Sequence, residues 1–204
     1  MTIARRPALE ARAAERHPDA PRRIAVAAMF AVYLALLVWT VLFKLDVPFT
    51  GGVDRAIKLV PFVASPGFGA SQPSEVVMNV VLFAPFGLYL GLVAHGRSLW
   101  MMTAAIAGTS LALEAAQFAL ATGSSDITDV IANTAGGLAG LWLFALAGRL
   151  LGARTTVVMT RVCAVMTIVA VLAAGVFVAS PLHYGPPPGG MRDHSGLRLN
   201  PDSP

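Results

Sequence analysis

The sequence predicts an all-α fold, a polytopic bundle of about five membrane-spanning helices with the N-terminus in the cytoplasm. Three observations predict it. Of the 204 residues, 56% are apolar and 13% are charged, against about 25% charged in an ordinary soluble domain. Five apolar runs reach the roughly 20 residues that a helix needs to cross a bilayer. They lie at about 24–43, 76–94, 99–120, 128–147 and 157–179. Basic residues then divide unevenly between the two sides that these runs define.

The segment before the first run, 1–23, is polar and rich in Ala and Arg. Its six arginines, Arg5, Arg6, Arg12, Arg16, Arg22 and Arg23, hold it on the cytoplasmic side during insertion. Five crossings then place the C-terminus outside. Ten Lys and Arg fall inside and five outside on this map, with Arg97, Arg149, Arg154 and Arg161 inside. The first run is too long for a signal-peptide core of about 7–15 residues and reads as a retained helix. The pI near 9.8 reflects topology anchors rather than a nucleic-acid stripe, which would interleave basic and aromatic residues.

The connection at 44–75 is the longest, roughly thirty residues. Its apolar part, AIKLVPFVA, suits a short interfacial segment. Its later part, SPGFGASQP, reads as turn and loop. The whole of 24–180 forms one transmembrane domain. The tail at 181–204 is rich in Pro and Gly and reads as disordered. The single cysteine, Cys163, is read as a small hydrophobe.

Polar residues inside the runs carry the functional signal, because an ionised side chain at mid-bilayer costs about 2.5–3.5 kcal/mol. In the second run Asn79, Phe83, Gly87 and Gly91 recur every four residues and share a face. Pro85 interrupts its hydrogen-bond ladder. In the third run Glu114 and Gln117 share a face, with Glu114 six residues from the outer end, roughly 9 Å by helical rise. In the fourth run Asp126, Asp129, Asn133, Gly136, Gly137 and Gly140 trace one stripe. Its inner part has the small-residue spacing of close helix packing. Capping explains Asp126 equally well, and hydrogen bonding within the bundle is the structural alternative for Glu114. On the arginine-derived topology all of the polar positions fall toward the outer side. They are expected to form an outward-facing polar pocket of Asn79, Glu114, Gln117, Asp126, Asp129 and Asn133.

The same residues carry a resemblance. KLVPF at 58–62, NVVLFAPFG at 79–87, EAAQF at 114–118 and DITDVIANTAGGLAG at 126–140 resemble the VanZ-like membrane protein family over roughly 30–147. The resemblance implies a multi-pass protein of the bacterial cell membrane with a role in the envelope. The family takes its name from glycopeptide (teicoplanin) resistance clusters. Two positions depart from the family pattern. Lys58 stands where Asn is usual, and ATGSSD lacks the Arg that commonly precedes the helical Asp motif. Lys58 is thereby a candidate for anion binding and joins the pocket positions.

These positions point first to a non-catalytic envelope factor. Its partners are the lipid bilayer and a polar headgroup, lipid-linked cell-wall precursor or lipophilic glycopeptide. No cofactor, metal or nucleic-acid partner is expected, and the sequence sets no oligomeric state. Two alternatives stand beside this reading. One is an enzyme on polyprenyl-phosphate lipids, its carboxylates holding Mg²⁺. That enzyme would lack a Ser–His or Cys–His pair, since all four histidines lie in the arm, a loop or the tail. The other is a scaffold or small transporter, although no paired half-helices mark a transporter repeat.

Overall fold

The computed structural model describes residues 20–43, 45, 56–64 and 69–180. The proposed tail at 181–204 and most of the N-terminal arm lie outside them. Among the described residues five long helices follow one another: α1 (Ala20–Phe43), α2 (Pro73–Val93), α3 (Leu99–Leu120), α4 (Ile127–Leu151) and α5 (Thr155–Ala179). α1 begins inside the expected arm, so Arg22 and Arg23 belong to the helix. Among the described residues four continuous helical stretches are long and apolar enough to cross a membrane, where the sequence led to about five. The difference lies in the last stretch. It runs 53 residues, Ile127–Ala179, and contains both α4 and α5, joined by the 3₁₀ turn Gly152–Arg154.

Local chemistry sets the helix ends. Pro73 opens α2, where its missing N–H costs nothing, and the Glu75 carboxylate accepts from the Gln72 backbone N–H at 3.2 Å. Ser98 caps α3 by accepting from the Met101 N–H at 3.3 Å. α3 stops at Ala121, which adopts a left-handed φ of 52°. Asp126 caps α4, accepting from the Thr128 N–H at 2.8 Å. Gly152, at φ 53° and ψ −124°, breaks the path between α4 and α5. The chain reverses there, since α5 returns to the flank of α2: Tyr89 Oη lies 2.7 Å from Thr167 Oγ1 and donates to the Cys163 carbonyl at 3.2 Å.

α2 is the central helix, with 33% of its span buried, and its most extensive partner is α4. The two run parallel in register. A Cβ on Gly136 would lie 2.3 Å from the Val80 carbonyl oxygen, one on Gly140 2.0 Å from that of Ala84, and one on Gly87 1.9 Å from that of Gly137. Only hydrogen fits at such distances, so glycine is what permits this approach. Pro85 lies buried within α2, and the helix continues through it. On the other flank, Phe30 and Tyr33 of α1 stack on Tyr89 at ring-centroid distances of 5.0 and 5.6 Å. The Tyr33 hydroxyl donates to the Leu82 carbonyl. The outward faces carry exposed Val77, Val81, Leu111, Leu172 and Val176, as lipid-facing surfaces do.

One feature departs from an all-helical chain. Ile57–Lys58 (β1) pairs in parallel with Ser125–Asp126 (β2), matching Ile57 to Ser125 and Lys58 to Asp126. This pairing ties the segment read as interfacial to the start of α4.

Candidate functional site

The polar residues gather where α2 and α4 begin and α3 ends. The parallel bridge brings Lys58 to this end. Its ammonium lies 3.1 Å from Asp126 Oδ2, with the two side chains 4% and 16% exposed. It also donates to Ser71 Oγ at 2.7 Å. Ser71 Oγ stands 3.0 Å from both Asp126 Oδ2 and Thr128 Oγ1, and its single proton serves one of them at a time. Thr128 Oγ1 also accepts from the Phe62 N–H at 3.0 Å. Phe62 has a φ of 65°, a region costly for a bulky residue, and this bond helps to hold it there.

Burial alone would raise the Asp126 carboxyl. The hydrogen bonds from Thr128, Lys58 and Ser71 outweigh that cost and hold it below its ordinary value. Asp126 therefore does two things at once: Oδ1 caps α4 and Oδ2 receives Lys58.

Glu114 is 4% exposed. Its Oε2 accepts from the Asp126 N–H at 3.0 Å, and its backbone carbonyl accepts from Ser125 Oγ at 2.7 Å. Asn79 of α2 donates to Asp129 Oδ1 at 2.7 Å. Asp126 and Asp129 both lie within electrostatic reach of Glu114. Lys58, Asn79, Glu114, Asp126 and Asp129 thus form one cluster drawn from the long loop and three helices.

Gln117 and Asn133 stand apart from it. Gln117 donates to the Val41 carbonyl of α1 at 2.9 Å. Asn133, 1% exposed, donates to Ser110 Oγ at 2.9 Å deeper between α3 and α4. Three buried polar atoms in this region have no protein partner among the described residues: Gln117 Oε1, Thr122 Oγ1 and Asn133 Oδ1. Sequence reasoning missed Ser71, Ser110 and Thr128. Of these, only Thr128 lies within a quoted motif, where it sits two residues beyond the capping Asp, as an Asx cap requires.

The cluster is a set of mutually bonded groups, and a cavity of about 780 Å³ opens at the other end of the bundle. Among the described residues, no group of three or more His, Cys, Asp or Glu side chains is arranged to hold a metal ion. The carboxylates instead face N–H and ammonium donors.

A family model described as VanZ/LLP1 matches residues 30–148. Protein VanZ of Enterococcus faecium is similar over 124 residues at 38% identity, covering 59% of this chain and 74% of that protein. No solved structure matches the chain.

Proposed function

The chain belongs to the VanZ/LLP1 family, and on that premise we propose a multi-pass envelope protein that holds the polar headgroup of a lipophilic molecule. The acceptor is the cluster around Lys58, Glu114, Asp126 and Asp129, at the outer face of a bacterial cell membrane. The ligand combines an apolar tail with a headgroup bearing amide, hydroxyl or anionic groups. Lipid-linked cell-wall intermediates and acylated glycopeptides both fit that description.

One observation carries the reading. Beside the cluster, one helical turn from Glu114 and from Asp129, Gln117 Oε1 and Asn133 Oδ1 are buried without protein partners among the described residues, as is Thr122 Oγ1, and native interiors rarely leave such capacity unused. With Lys58 already paired to Asp126, these acceptor atoms and the carboxylates of Glu114 and Asp129 suit a headgroup rich in amide and hydroxyl donors.

The orientation follows from the arginine asymmetry. With Cys163 replaced by Ser, S74C should react with an impermeant maleimide from outside the cell and S98C should not. The reverse pattern overturns the orientation.

The function is tested with the full chain in lipid nanodiscs. An acylated glycopeptide, its deacylated core and a polyprenyl-linked disaccharide are titrated in parallel. Saturable binding of one tailed probe, at least tenfold weaker in E114A/D129A, is expected. In cells, full rescue of an envelope phenotype by a stably inserted E114A/D129A chain overturns the proposal and leaves a scaffold role.

A further inference from the structure

Charge is segregated along this bundle. Among the described residues every carboxylate (Glu75, Glu114, Asp126 and Asp129) lies at the end holding the polar cluster. At the opposite end Arg97, Arg149 and Arg154 are exposed. The ion pair formed among the described residues, Lys58 with Asp126, is remote from them, so none of the three arginines has an acidic partner among the described residues.

A cavity of about 780 Å³ opens at the same end of the bundle. Leu92, Leu99, Leu141, Trp142 and Phe144 give it an apolar lining, and the turn at Gly152 forms part of its wall. Each arginine is next to, or two residues from, a wall residue: Arg97 beside Gly96, Arg149 beside Gly148 and Arg154 beside Thr155. The volume falls within the roughly 300–1,000 Å³ of ligand sites. An apolar hollow whose wall residues are flanked in the sequence by three exposed arginines suits an amphiphile with an anionic head. We propose that this cavity is a binding site for an anionic phospholipid of the adjoining leaflet, its acyl chain in the hollow and its phosphate at these arginines.

This site is separate from the headgroup cluster and does not depend on its function. It occupies the seam at which α5 doubles back, where Gly91 of α2, Gly96 of the α2–α3 turn and Gly148 of α4 lie on the cavity wall. A Cβ on Gly148 meets nothing within 4 Å, so a larger side chain there enters the hollow without a backbone clash.

The test uses Trp142, which lines the cavity and is 63% exposed. With W39F and W100F it becomes the sole tryptophan. The full chain is reconstituted in phosphatidylcholine vesicles containing an equal mole fraction of either brominated phosphatidylglycerol or brominated phosphatidylcholine, and Trp142 quenching is measured. Stronger quenching by the anionic lipid is expected. Its relative association constant should fall about fivefold for each arginine neutralised in R97Q, R149Q and R154Q. G148L should lower quenching by both lipids. Circular dichroism on each variant verifies that the helices persist. Equal quenching by the two lipids overturns the proposal, as does an anionic preference that survives both the arginine and the G148L variants. A Trp142 shielded from both lipids marks a second copy of the chain over the cavity and overturns it as well.

Discussion

Glu114 and Asp126 meet through unlike atoms. The carboxylate of Glu114 accepts the backbone N–H of Asp126 at 3.0 Å, so one acid anchors the chain entering α4 while the other faces Lys58. Two acids near one another are accommodated because each is turned to a different donor.

Removing the first acceptor should expose this. E114A leaves the Asp126 N–H buried without a partner, at a cost of about 1–3 kcal/mol. E114Q keeps an acceptor oxygen and should lose less than half as much. Thermal unfolding in detergent measures both. Equal losses would mean that the carboxylate's charge, not this bond, holds the turn.

The Lys58–Asp126 pair gives a larger effect and a pH signature. K58M strands a mostly buried carboxylate and should cost about 3–5 kcal/mol. Asp126 is held below its ordinary value of 3.8. Its contribution is therefore complete above that value and is lost as pH falls through the lower folded value. Unfolding midpoints measured from neutral to acid pH should show this decline in the parent chain and a shallower one in D126N.

The α2–α4 seam should reject even one methyl group. G87A, G136A and G140A each place a Cβ within 2.3 Å of a backbone oxygen and must push the helices apart, at a cost of about 1–3 kcal/mol or more. G108A, with nothing within 4 Å of its Cβ, should stabilise by about 0.5–1 kcal/mol through helix propensity. Denaturant or thermal unfolding of the four variants separates packing from propensity.

The return of α5 is tested through its thiol. Cys163 is fully buried, and Tyr89 bonds beside it. Maleimide labelling of the native chain should be slow. Y89F, which removes the donor to Cys163 and the contact with Thr167, should speed labelling several-fold and cost about 1 kcal/mol. Rapid labelling of the parent chain would mean that α5 does not stay docked on α2.

Some of this was legible in the residues alone. Asn79, Glu114, Asp126 and Asp129 could be singled out because polar groups are expensive in an apolar helix, and their spacing put each on a definite stripe. The stripe of Gln117 was readable too, but its neighbour was not: it turns to Val41 of α1. Lys58 could be read as an anion-binding candidate, but its burial and its partner Asp126 could not. It is buried because β1 pairs with a strand 68 residues further along the chain, Ile57 against Ser125.

The sequence by itself determined the membrane class, the order of the helices and which residues share a face, because bilayer thickness and the 3.6-residue period act locally on the chain. The tertiary structure alone decided that α2 and α4 lie parallel in glycine-to-backbone contact, that α5 doubles back at Gly152, and that Lys58 reaches Asp126. Those outcomes depend on which distant surfaces fit one another, and no local periodicity encodes that fit.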